Sequence, residues 1–163
     1  MATDLLVKLY DLPDPSPIYE KMKQKNVSLV RAMALDRENL LQFVREAFPS
    51  QSKLWIGECC AAFSSVPSHC FMAVHQGKII GFACTDATAK GFFGPTGVSP
   101  DFQGLGIGTA LLYKALYAMR EEGYGYAAIG WVTDALPFYE KALNVFPIPD
   151  SFPSVYDQMA GRC

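Results

Sequence analysis

Hydrophobic and polar positions change rhythm along the chain, and each rhythm predicts an element. Residues 5–12 alternate as a strand, and residues 18–25 have the spacing of a short helix. Between them Leu12-Pro13-Asp14-Pro15-Ser16-Pro17 must be extended or turning, because proline fixes its own φ and restricts the residue before it. Residues 27–35 alternate again, and Asp36 stands as a helix cap before Leu40, Leu41, Val44, Ala47 and Phe48 on one helical face. A second helix over 53–63 turns Trp55, Ile56, Cys59, Ala62 and Phe63 inward and leaves Glu58 at an undetermined angle. Residues 70–74 and 78–85 form a hairpin around Gln76-Gly77. The apolar run Phe92–Val98 is followed by Ile107, Leu111, Leu112, Ala115, Leu116 and Met119 at helical spacing, then by a strand over Tyr126–Val132 and a short helix around Phe138-Tyr139.

Two features interrupt this rhythm. Gly94-Pro95-Thr96-Gly97 falls inside an apolar strand, where proline cannot donate to a ladder and glycine weakens the pairing. The run Val98-Ser99-Pro100-Asp101-Phe102-Gln103-Gly104-Leu105-Gly106-Ile107-Gly108-Thr109 joins strand to helix through three alternating glycines. Helix N-termini offer unpaired amides and a positive dipole end, and residues without Cβ let an anion approach the backbone. The loop therefore reads as an anion cradle. A dinucleotide fold would want Gly-x-Gly-x-x-Gly with an acidic residue about 20 positions later, and the spacing here is Gly-x-Gly-x-Gly.

Read from Gln103, the loop is Gln-x-x-Gly-x-Gly preceded by Val-x-Pro, and it resembles motif A of the GNAT superfamily of N-acetyltransferases. Phe138-Tyr139-Glu140-Lys141 resembles the family's tail, and the resemblance runs from about residue 27 onward. It implies an α/β (α+β) acyltransferase fold: a mixed, mostly antiparallel central sheet with helices on both faces. The only parallel pair would be Phe92–Val98 beside Tyr126–Val132, the family's fourth and fifth strands, splayed apart. The chain would be one domain, residues 1–163, with an extension over 1–26 and a core over 27–163. The extension could extend the sheet edge, cover it, or contact a second subunit in a homodimer; edge covering is the simplest expectation.

The resemblance also implies a cosubstrate, acetyl-CoA, and an amine acceptor. Backbone amides of Gln103, Gly104, Leu105, Gly106, Ile107, Gly108 and Thr109 would hold the diphosphate, and Gly97 and Val98 the pantetheine arm. Tyr139 would protonate the departing thiolate. Two positions depart from the family: its frequent Asn before the Tyr is Val132 here, and its frequent Gly after it is Leu143. Asp86, Glu58, Asp134 and His69 are candidate bases by type alone, and none is singled out. Lys90, Lys114 and Lys141 stay equally open as partners of the 3′-phosphate. Trp55 and Trp131 are expected in a compact aromatic acceptor pocket suited to small amines. A catalytically idle acyl-CoA sensor is the alternative reading.

Composition narrows the classes. Half of the 163 residues are hydrophobic and only 18% are charged, enough for a sizeable core and against disorder. A net charge of −2 argues against a nucleic-acid surface, and Lys21, Lys23 and Lys25 read as a solvated helix face. Five cysteines, Cys59, Cys60, Cys70, Cys84 and Cys163, show no metal-ligand spacing and no disulfide frame, so no metal is expected. Cys70 and Cys84 fall in apolar strand runs and read as buried, reduced thiols. With no basic leader and no membrane-length run, the expected location is the cytoplasm.

Overall fold

The computed structural model describes residues 1–161. Its centre is a seven-stranded sheet built from β1 (Thr3–Lys8), β2 (Val27–Arg31), β3 (Cys70–His75), β4 (Lys78–Thr85), β5 (Phe92–Val98), β6 (Tyr126–Val132) and β7 (Val145–Ile148), in the order β2-β3-β4-β5-β6-β1-β7. Five helices flank it: α1 (Ser16–Gln24), α2 (Arg37–Ala47), α3 (Ser52–Ala62), α4 (Ile107–Glu121) and α5 (Leu136–Ala142). Every neighbouring pair of strands is antiparallel except β5 and β6. That pair is joined through α4, the long crossover a parallel pair requires.

Alternation along β3 divides the core in two. Phe71 and Ala73 join a cluster with α4, α1, β1 and β6, while Cys70 and Met72 join α2 and α3 on the opposite face. Successive side chains of a strand point to opposite faces, so one strand serves both layers. α4 carries Ala110, Leu111, Ala115, Leu116 and Met119 fully buried against β4 and β5, and Gly81 lets it sit close: a Cβ there would lie 3.0 Å from Leu111 Cδ1. Cys59, Cys70 and Cys84 are buried free thiols, as their apolar settings predict; Cys163 lies outside the described residues. The turn at Gln76-Gly77 takes positive φ at both residues, 51° and 74°, the geometry of a tight hairpin.

The N-terminal extension corrects the expectation of an edge cover. β1 lies inside the sheet, with Leu5 opposite Ile129 of β6 on one side and Pro147 of β7 on the other. Leu5, Val7 and Leu9 are completely or almost completely buried, so this segment is core. The strand is also shorter than its alternation suggested, ending at Lys8, and the strand read over 27–35 stops at Arg31 before a 3-10 turn, Ala34–Asp36. Within that turn Asp36 Oδ2 accepts from the Met33 amide and makes no side-chain cap to α2. β7 was not foreseen, because Pro147 speaks against a strand; its place at the sheet edge is where proline is tolerated.

Candidate active site

β5 and β6 pair only at Phe92 with Ala128 and Phe93 with Ile129, and beyond Phe93 they diverge. The divergence begins at the sequence's strand breaker. Gly94 takes φ +120°, the Gly94–Pro95 peptide is cis, and the ladder with β4 shifts register opposite them. The resulting opening is a cavity of about 900 Å³ lined by β5 from Phe93 to Thr96 and by β6 from Ile129 to Val132. Trp55 and Glu58 of α3, Phe138 and Tyr139 of α5, and Tyr156 of a 3-10 turn (Ser154–Gln158) complete its walls.

The glycine loop enters α4 beside this opening. Gly104 and Gly106 have φ of +79° and +88°, a conformation that L side chains disfavour. No side chain caps α4, so the amides of its first turn keep their donors free. At Gly108 a Cβ would lie 3.6 Å from the Phe138 ring, which also lines the cavity, so loop and cavity adjoin. The loop residues themselves do not line the cavity. Gln103 turns back instead, its Nε2 donating to the Val98 carbonyl at 3.3 Å. Gly97 carries the Phe48 ring, whose Cζ lies 2.6 Å from the position a Cβ would take.

Tyr139 does line the cavity and is only 6% exposed. Its ring meets Phe93 edge-on with centroids 6.4 Å apart and Phe138 at 5.0 Å. Burial raises the phenol well above its ordinary value, and no hydrogen bond among the described residues offsets that. α5 is fixed from below by Tyr113 of α4, whose hydroxyl donates to the Ala142 carbonyl at 2.7 Å.

Among the four candidate bases, Glu58 and Asp134 reach the cavity and the other two do not. His69 and Asp86 gather instead with Glu122: His69 Nε2 lies 3.4 Å from Glu122 Oε1, and the donor atoms of the three fall within 4.8 Å of one another. Asp86 already accepts from the Gly91 amide and the Tyr124 hydroxyl. Glu58 is half-buried, and Thr88 Oγ1 donates to its Oε2. Burial pushes its carboxyl upward and the Thr88 bond holds it partly down. Trp55 and Trp131 both line the cavity, as the aromatic-pocket expectation requires.

Three contributors escaped the sequence. The 3-10 turn brings Tyr156 against Gly130, where a Cβ would lie 2.7 Å from the Tyr156 hydroxyl. Asp4 of β1, nearly buried, accepts the Trp131 amide on Oδ1 and the Ser154 hydroxyl on Oδ2. Lys21, read as part of a solvated face, has its Nζ 3.5 Å from the position of a Gly106 Cβ. Only the last had a sequence signal, the basic cluster itself.

The model of the acetyltransferase (GNAT) family matches residues 32–144. The chain belongs to this family of acetyl-CoA-dependent acetyltransferases. No curated protein matches its sequence. Solved GNAT structures share the fold at low identity. The GCN5-related glucosamine N-acetyltransferase region of a fungal multi-domain GH3 beta-N-acetylglucosaminidase superimposes with a TM-score of 0.71 at 17% identity, over 90% of this chain and 20% of that one. A GCN5-related N-acetyltransferase from Sphaerobacter thermophilus gives 0.63 at 22% identity, over 90% of this chain and 48% of that one. A GNAT family acetyltransferase from Brucella melitensis, solved in complex with acetyl-CoA, gives 0.52 at 21%, over 69% and 80%. The chain thus spans a fifth and about half of the first two. Within the GNAT match fall the splayed strands, the glycine loop, Glu58 and Tyr139; β1, α1, β7 and the Tyr156 turn lie outside it.

Proposed function

We propose that this chain moves an acetyl group from acetyl-CoA to the amine of a small-molecule acceptor, with Tyr139 as general acid. One observation carries the reading: a parallel pair that opens beyond Phe93 shares its cavity with a buried tyrosine and adjoins a left-handed glycine loop at a helix N-terminus. The loop fits the cosubstrate's diphosphate. A 15-residue helix without a side-chain cap leaves first-turn donors for an anion, and Gly104 and Gly106 hold backbone geometry that other residues resist. Lys21 adds a cation beside them. Acetyl-CoA supplies the activated acyl group, and Gly97 and Val98 flank the course of its pantetheine arm.

The reaction needs a neutral amine, a polarised carbonyl and a proton for the thiolate. Tyr139 suits the last task, since burial keeps its proton in place throughout the working pH range. The aromatic walls of Trp55, Trp131 and Tyr156 favour a compact, partly apolar acceptor over a polypeptide. Isothermal calorimetry with acetyl-CoA, followed by coenzyme A release with a mixed amine set, tests the proposal. Binding followed by release supports it. Tight binding with no release above solvent hydrolysis would identify the sensor instead, and absence of binding would overturn both.

A further inference from the structure

The acceptor side of the cavity has a charge pattern that says what enters it. Among the described lining residues are two carboxylates, Glu58 and Asp134, and no lysine, arginine or histidine. Asp134 is exposed at the rim, whereas Glu58 is half-buried and faces inward from α3. Thr88 satisfies Glu58 Oε2, and Oε1 receives no hydrogen bond among the described residues. With no cation among the described lining residues to neutralise it, the free oxygen is open to a cationic group of a ligand.

An aromatic wall shares the cavity with Glu58, whose charge acts on Tyr156. Trp131 and Tyr156 pack with ring centroids 4.8 Å apart, and Phe152 backs Trp131 at 6.0 Å. Their placement is constructed. Trp131 holds φ +55°, a left-handed conformation unusual for a tryptophan, and Asp4 accepts its amide at 3.0 Å. Ser154, at the start of the Tyr156 turn, donates to the other oxygen of Asp4. Both ends of the chain, outside the family match, are thereby committed to one wall of the acceptor space.

Resting on the acetyl-transfer reading, we propose that the acceptor is a singly charged primary amine on a compact apolar body, whose ammonium docks on Glu58 Oε1 within the Trp131–Tyr156 wall and gives its first proton to that carboxylate. The freed amine attacks the acetyl carbonyl, forming the C–N bond as the C–S bond breaks. The second proton lost by nitrogen replaces the one that Tyr139 gives to the thiolate, and Glu58 returns the first to solvent. Polycations fit poorly, because only one carboxylate stands inside the walls. Acceptors carrying a carboxylate meet repulsion from Glu58.

Burial raises the Glu58 carboxyl, moving it toward the range where a base exchanges protons with an amine. Around the cavity the other titratable groups are Tyr156 from the 3-10 turn, Asp4 of β1 acting on Tyr156, Asp134 after β6 and Tyr139 of α5. Lys53 shares α3 with Glu58.

The test compares wild type and Glu58→Gln with acetyl-CoA and four probes: 2-phenylethylamine, spermidine, phenylalanine, and aniline, whose amine is neutral near pH 7. We expect wild type to prefer 2-phenylethylamine by about tenfold or more over spermidine and phenylalanine, the scale of one charged contact. Glu58→Gln should lower kcat/KM for 2-phenylethylamine by about 10²-fold or more and erase the acid limb of its pH profile. Aniline turnover should fall far less, because its amine arrives without the proton that Glu58 removes, and acetyl-CoA affinity should stay unchanged. Unchanged 2-phenylethylamine kinetics in the variant, or a wild-type preference for spermidine or phenylalanine, overturns the proposal. Calorimetry of 2-phenylethylamine binding separates docking from transfer. Binding that needs Glu58 but releases no coenzyme A overturns the transfer reading and keeps the docking site, whereas no wild-type binding overturns the docking site. An equal or higher Tm of Glu58→Gln establishes that the variant is folded.

Discussion

Single residues in this site carry opposed demands of stability and chemistry. Tyr139 buries its ring but lines the cavity without a hydrogen-bond partner among the described residues, so its hydroxyl contributes little to the folded state. Tyr139→Phe should therefore leave the Tm nearly unchanged, while turnover falls by about 10²-fold or more if the phenol is the acid. Thermal melting and coenzyme A release read the two effects separately. At Gly106 the demand is geometric. Gly106→Ala puts a side chain at φ +88° and 2.9 Å from Ile18 Cδ1, costing roughly 1–2 kcal/mol for the left-handed backbone alone. Acetyl-CoA affinity should drop with it, which calorimetry measures. Tyr139 and the glycines were nameable in the sequence because the motifs that resemble the family's each lie within one segment. Glu58 was only nameable, since helical periodicity sorts apolar residues and leaves a lone charge at an undetermined angle. Trp131 was noticed as an aromatic, but its seat depends on Asp4 and Tyr156, distant in the chain and silent by local pattern.

At the scale of elements, most of the fold was readable where periodicity was strong. The hairpin of β3 and β4, the strands β5 and β6 and the long helix α4 all lie close to their expected limits. β7 and the 3-10 turn were missed for physical reasons. One holds a proline and takes the sheet edge, and the other is a short segment stabilised through Asp4 and Ser154 more than by its own propensity. The role of β1 was misjudged because local alternation cannot say which strands will flank it. Asp4→Ala tests the link between these elements. Losing the Trp131 amide bond and the Ser154 bond from a nearly buried carboxylate should destabilise the fold by about 3 kcal/mol. Urea unfolding gives that figure, and the change in tryptophan emission reports Trp131.

Across the whole molecule, aromatic burial sets the response to alkali. Burial pushes Tyr19 and Tyr156 from 10.0 up to about 12, and raises Tyr139 as well. The unfolded chain gives up these protons first, so their contribution is complete below pH 10 and is lost as pH rises through about 12. Chemical denaturation between pH 9 and about 12 should therefore yield a midpoint that is flat at first and then declines steeply. Molecular architecture also imposes an order on synthesis. β1 is synthesised before the other strands of its sheet yet is one of the last that can be seated, since its two neighbours, β6 and β7, are made roughly a hundred residues or more afterwards. Until then Leu5, Val7 and Leu9 have no shelter from water, and the nascent chain offers them to any chaperone that grips short apolar stretches.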